Sequence, residues 1–336
     1  MLRSVILVVL VAIFAIVLRH YIQGGFQQKD GTAMGVAKIR HYEALHKDPS
    51  KRLYYDPYAQ HMYPGSFIQT WLGENKTRRI YDFVFKGVLE VLTTRTKWLD
   101  EEIHKAIRYN NAQQMVILGA GYDTRGFRLD LPADFIVIEV DQPDVQALKR
   151  QKLQKIAMKD KQVASRMNTE NQTNGGIVSF LTIDFNQDDI GEKLLEMNLL
   201  RLAKGTIIVL EGVTQYLPKS STATTLAQLR KILPAQSILL VSYVPQDIFE
   251  NPAKCGPKNN IKKLLKGAEA TGEPWISGWT EDGFKFFLGE LGYEVLSDTT
   301  ISDLNELYLK PLNRHLDESD VLSVERYVVA VIKDSL

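Results

Sequence analysis

The stretch Val116–Arg125, VILGAGYDTR, ends a short apolar run on the turn Gly119-Ala120-Gly121. Glycines there let the backbone reverse tightly and approach a ligand closely. A dinucleotide fingerprint requires a third glycine at position 124, which is Thr124 here. The next apolar run, FIVIEV (Phe135–Val140), ends at Asp141, twenty-two residues after Gly119, where a carboxylate can accept both hydroxyls of a ribose. Two later runs end at Asp184-Phe185 and at Glu211. Acidic residues therefore follow the second, third and fourth runs, on one edge of a sheet.

Seven runs read as strands: Met115–Leu118, Phe135–Val140, Ile177–Ile183, Ile207–Leu210, Ile238–Ser242, Tyr293–Leu296 and Tyr327–Ile332. Val/Ile/Leu-rich strands separated by helical stretches predict an α/β fold, a seven-stranded mostly parallel sheet with helices on both faces and its ligand at the carboxyl ends of the strands. Upstream, apolar residues at three-and-four spacing in Ile80–Leu92 and Leu99–Ile107 predict an N-terminal helical cap over 35–112. The Rossmann-like core then spans 113–336, with a loop at 168–176 and a lid insertion at 245–280, rich in Pro, Gly and Trp. Six basic residues between Lys149 and Lys161 read as a solvated helix face, with anionic lipid headgroups as the sharper alternative.

Composition narrows the function classes. A chain of 336 residues with 45% hydrophobic and 24% charged residues is an ordinary folded protein with a substantial core. Its 41 Lys plus Arg against 40 Asp plus Glu argue against a dedicated nucleic-acid binder. The single cysteine, Cys255, and six scattered histidines show no metal-ligand spacing, so no metal is expected.

The fourteen-residue apolar run Val5–Leu18, flanked by Arg3 and by Arg19 with His20, reads as a membrane signal. With Leu2, Ser4, Tyr21 and Ile22 it is long enough to span with snorkelling arginines, and no small-x-small cleavage site follows closely. Residues 1–22 are thus expected to form a single-pass membrane-anchor helix and 23–34 a linker, ahead of a catalytic domain over 35–336. Arg19, Lys29, Lys38 and Arg40 after the run favour a cytosolic body. The triplets at Asn75 and Asn171 would carry sugar only in a lumen.

The ordered motifs TAMGVAKIRHYE (Thr32–Glu43), YYDPYA (Tyr54–Ala59), TRTKWLD (Thr94–Asp100), ILGAGYDTRGFRL (Ile117–Leu129), IEVDQP (Ile138–Pro143), LEGVTQYLP (Leu210–Pro218) and GEPWISGWT (Gly272–Thr280) carry a resemblance. Over roughly residues 32–332 the chain resembles the leucine carboxyl methyltransferase-like group of class I S-adenosylmethionine-dependent methyltransferases, in its bacterial-type branch. The resemblance implies S-adenosyl-L-methionine as cofactor. Gly119 and Gly121 would then lie along its methionine part, Asp141 would bind the ribose, and Asp184 with Phe185 would frame the adenine. Arg95 would pair the cofactor carboxylate with Arg40 as a second candidate, and Glu211 would face the amino group.

The membrane run is extra to the family, and GAGYDTRGFRL points away from a protein carboxyl terminus as acceptor, toward a small-molecule or lipid-like one. Methyl transfer from a sulfonium is an in-line displacement that needs alignment and exclusion of water rather than a nucleophilic side chain. An oxygen acceptor, carboxylate or hydroxyl, needs positioning or a general base. Tyr216, Asp56 and Tyr58 are the polar candidates for that side, and Trp275 and Trp279 could wall an apolar acceptor. Two rival readings remain: a non-catalytic membrane-tethered S-adenosylmethionine-binding module, and a nicotinamide-dependent oxidoreductase.

Overall fold

A computed structural model describes residues 31–167, 177–270 and 272–334. The expected anchor over 1–22, the sequon at Asn171 and the loop at 168–176 lie outside these residues. Among the described residues, no helix is long and apolar enough to cross a membrane. Asn75 lies within a helix whose Thr77 is buried.

The strands are β1 (Gln114–Leu118), β2 (Ile136–Asp141), β3 (Val178–Thr182), β4 (Thr206–Leu210), β5 (Ile238–Tyr243), β6 (Tyr293–Thr300) and β7 (Arg326–Ile332). They form one sheet of order β3-β2-β1-β4-β5-β7-β6. The first five run parallel, and β7 lies antiparallel between β5 and β6. The chain leaves β1 toward β2 and β3 and returns to add β4 on its other side. A crevice therefore opens beyond the carboxyl ends of β1 and β4.

Side chains alternate between the faces with the two-residue period of a strand. Met115 and Ile117 join one core cluster with Trp98, Leu99 and Ile103, whereas Val116 and Leu118 join the opposite cluster with Leu226, Leu229 and Leu288. Both faces are covered, which is why β1 and β4 are apolar at nearly every position.

Three helices cap the crevice: α1 (Gly31–Ala44), α2 (Ser66–Phe85) and α3 (Val88–Tyr109). The expected linker to Met34 is corrected, because the chain is already helical at Gly31, where burial of Met34 in the core rewards the earlier start. The expected continuous helical segment Ile80–Leu92 is also corrected. Gly87, at φ 91°, divides it, and its missing side chain leaves room for the Asp320 carbonyl. The helix Pro143–Ala157 departs from the solvated reading as well. Lys149 is buried in an ion pair with Glu139, and Lys152 donates to Tyr122 Oη at 2.7 Å.

A Cβ at position 87 would lie 2.7 Å from the Asp320 carbonyl oxygen on an unfavourable φ. Gly87→Ala should therefore cost about 1–3 kcal/mol of stability, read as a lowered thermal midpoint.

Candidate functional site

A cavity of about 700 Å³ occupies the crevice, within the range of small-molecule sites. Its floor is the turn after β1, where Gly119 and Gly121 adopt φ 62° and 44°. Any side chain at Gly119 would collide with Val213, so glycine is what lets the loop after β4 close against this turn. Beside it, one oxygen of Asp141 accepts the Gly121 N–H and the other accepts the Gln142 N–H at 2.7 Å. Burial pushes the Asp141 carboxyl up, and the two N–H donors offset this only in part.

Behind the glycine turn lies a buried charge network. Arg125 Nε donates to Asp100 at 2.8 Å, while Nη1 donates to Asp123 and Glu211, each at 2.6 Å. Arg128 forks onto both Asp100 oxygens at 2.7 and 2.8 Å. Arg95 gives Nε to Glu211 at 2.7 Å and Nη1 to both Glu325 oxygens at 2.8 Å. Arg40 lies 3.1 Å from Asp56 and donates to the Tyr122 carbonyl.

These contacts set the acidities. Burial raises Glu211 and Asp100, but the arginines overcome it and hold both below the usual carboxylate range. Burial raises Glu325 further than Arg95 lowers it, so this carboxyl stays above that range.

Over the floor stand Tyr216 and Trp275, edge to face with ring centroids 6.4 Å apart. Burial pushes the Tyr216 hydroxyl up to about 12. The outer chamber is apolar, lined by Val84 and Phe85 of α2, Val88, Val91 and Leu92 of α3, and Leu264 of the helix Lys258–Ala270. The segment 245–280 thus contributes one wall. The side chains of Thr32 and Glu273 meet across the rim and join α1 to it.

Of the residues singled out in the sequence, Arg40, Arg95, Gly119, Gly121, Asp141, Phe185, Glu211 and Tyr216 all line the cavity. Four others lie elsewhere. Asp56 is buried, accepting the N–H groups of Tyr58 and Ala59 at 3.0 Å and the Thr124 hydroxyl at 2.7 Å, so its expected place at the acceptor is corrected to a brace between the cap and the β1 turn. Tyr58 points instead to Asp160, 3.1 Å away. Asp184 caps its own turn, accepting from Asn186 N and Gln187 Nε2 at 2.9 Å, and leaves only Phe185 facing the cavity.

Trp279, expected in the acceptor wall, packs in the core against Phe284. Asp100, Asp123, Arg125, Arg128 and Glu325 were not singled out, although the first four lie inside the motifs TRTKWLD and ILGAGYDTRGFRL. Among the described residues, no group of three or more His, Cys, Asp or Glu could hold a metal ion.

Residues 33–230 match the family model described as leucine carboxyl methyltransferase. YktD of Bacillus subtilis, provisionally named an S-adenosyl-L-methionine-dependent methyltransferase, is 28% identical over 240 residues, 71% of each chain. A Frankia alni protein with the same provisional name is 26% identical over 290 residues, 84% of this chain and 87% of its own. Among solved structures, a DUF574 family protein of Streptomyces avermitilis superposes with TM-score 0.54 at 12% identity, covering 88% of this chain and 97% of its own. A Thermobifida fusca protein provisionally named a methyltransferase gives TM-score 0.51 at 15% identity, over 88% and 94%. These two likenesses concern the fold.

Removing one member of a buried charge network strands its partners without water. Asp100→Ala, which leaves Arg125 and Arg128 short of a carboxylate, should cost about 3–5 kcal/mol in urea denaturation. Tyr58→Phe deletes one hydrogen bond and should cost about 1 kcal/mol, with cofactor affinity unchanged by calorimetry.

Proposed function

The chain belongs to the leucine carboxyl methyltransferase family and is an S-adenosyl-L-methionine-dependent methyltransferase, and from that premise we propose that it methylates an oxygen, carboxylate or hydroxyl, of a small-molecule or lipid-like acceptor by in-line displacement. The observation that carries this reading is Asp141, held at the end of β2 by two backbone N–H groups beside the glycine turn. Those bonds orient the carboxylate and leave lone pairs for two ribose hydroxyls.

The cavity suits the cofactor in two further respects. Gly119 and Gly121 keep the floor open for a close-lying chain, and Phe185 offers an apolar face to a base. Asp184 acts here by holding the turn that presents Phe185. In addition, Asp56, Asp100, Asp123, Glu211 and Glu325 outnumber Arg40, Arg95, Arg125 and Arg128 by one, which favours a cation at the floor. When bound, S-adenosylmethionine supplies an electrophilic methyl group on a sulfonium. Arg95 and Arg40 would meet its carboxylate, and Glu211 and Glu325 its ammonium.

The protein's own contribution is alignment and exclusion of water. Tyr216 stays protonated at neutral pH, so it orients an acceptor oxygen by donating a hydrogen bond and does not act as a base. A carboxylate acceptor is already ionised and needs no base. The apolar chamber formed by α2, α3 and Leu264 suits an acceptor with a hydrocarbon body. Residues 1–22 would tether the enzyme to a membrane, with the catalytic domain facing the cytosol.

Calorimetric titration of S-adenosylmethionine and S-adenosylhomocysteine should show micromolar binding that weakens at least about tenfold in Asp141→Ala, the loss of two hydrogen bonds. Retained affinity in that variant, or no binding by folded protein, would sink the reading. The ligand's ammonium beside Glu325 would favour its ionised form. Affinity for both S-adenosylmethionine and S-adenosylhomocysteine, which share that ammonium, should therefore rise as pH increases through and above the usual carboxylate range, and be lost as pH falls through it.

A further inference from the structure

Helix α2 carries a row of large apolar side chains that nothing in the described fold covers. Phe67 is 72% exposed, Trp71 77% and Phe83 89%, with Ile80 half exposed and Val84 slightly more. Lys76 Nζ lies 5.4 Å from the Trp71 ring centroid, and the kink at Gly73 divides the row into Phe67 with Trp71 before it and Ile80 with Phe83 and Val84 after it. It also runs into the cavity, because Val84 is both exposed and part of the cavity lining.

Across the mouth stands the helix Lys258–Ala270, and Asn260 Nδ2 lies 3.5 Å from the Lys86 carbonyl at the end of α2. Its sequence KNNIKKLLKGAEA turns Ile261, Leu264 and Leu265 inward and leaves Lys258, Lys262, Lys263 and Lys266 exposed, with Glu269 as its one acid. On α2 the acids are two: Asp82 is paired with Arg78 at 3.5 Å, and Glu74 lies 3.6 Å from His46. The mouth therefore presents apolar rings on one side and a lysine row on the other.

We propose that this rim, α2 together with the helix Lys258–Ala270, is a docking face that seats on an anionic phospholipid leaflet, so that the cavity opens at the boundary of the lipid acyl chains. Large rings sink into that boundary while lysines meet anionic headgroups. The chain outside the described residues supports the same occupant. The apolar run Val5–Leu18 joins α1 through residues 19–30. Twelve residues reach at most about 43 Å when fully extended, so a run held in a bilayer keeps the domain against it. Gly31, the first described residue, adjoins Thr32 and Ala33 of the cavity rim.

The docking face is distinct from the cofactor site and can fail independently of it. The test uses the full chain with vesicles of phosphatidylcholine and about one-fifth phosphatidylserine carrying bromine on the acyl chains, which quench tryptophan at that depth. All four tryptophans (71, 98, 275 and 279) lie outside residues 1–30, so tethering by the apolar run cannot by itself produce the signal.

We expect quenching that is mostly lost in Trp71→Phe, with S-adenosylmethionine binding unchanged by calorimetry in the same samples. The pair Lys262→Glu with Lys266→Glu should reduce quenching on anionic vesicles and leave it unchanged on pure phosphatidylcholine. No quenching, or equal quenching in Trp71→Phe, would overturn the docking face. Dimerisation without lipid that is abolished by Phe83→Asp would also overturn it, assigning the row to a second copy of the chain.

Discussion

Arg125 is buried, and its guanidinium joins three segments: Asp100 from α3, Asp123 from the turn after β1, and Glu211 from the end of β4. Withdrawing one of these charges from water is costly, and the cost is offset only when every partner is present in good geometry. The position of the helical cap on the sheet is thereby coupled to the shape of the cavity floor. Arg128 and Arg95 extend the coupling to Asp56 and Glu325, so α3 is locked to both the glycine turn and the start of β7.

The cavity is graded from this floor outward. Its inner end is ionic, with one carboxylate in excess, and suits a ligand that carries positive charge. Its outer end is lined largely by apolar side chains of α2 and α3, among them the exposed Val84. A site of this kind offers two environments, charged side chains within and an apolar surface at the mouth. The segment 245–280 completes both, since Trp275 packs edge to face on Tyr216 near the floor while Leu264 lines the mouth.

Sequence reasoning located the residues whose role is local. Gly119 and Asp141 sit at strand ends, and a strand end followed by glycine or acid is recognisable from a few neighbours. It misplaced Asp56 and Tyr58. An Asp-Pro pair reads as a turn, whereas Asp56 reaches Thr124, 68 positions away. It passed over Glu325 for the same reason, since the partner Arg95 is 230 positions away. A basic cluster on a helix reads as solvated, but Lys149 turned inward because Glu139 waits on β2.

By itself, then, the sequence determined the α/β order, the seven strands, the glycine turn, the family and the cofactor, because these rest on periodicity and on motifs whose parts are adjacent in the chain. Only the tertiary structure decided which charges face one another, that Asp56 braces the cap, that Glu325 stands at the floor, and that the apolar row of α2 runs into the cavity mouth. Those features depend on pairings between distant segments. A buried ion pair takes its energy from desolvation and proximity, neither of which exists until the chain has folded.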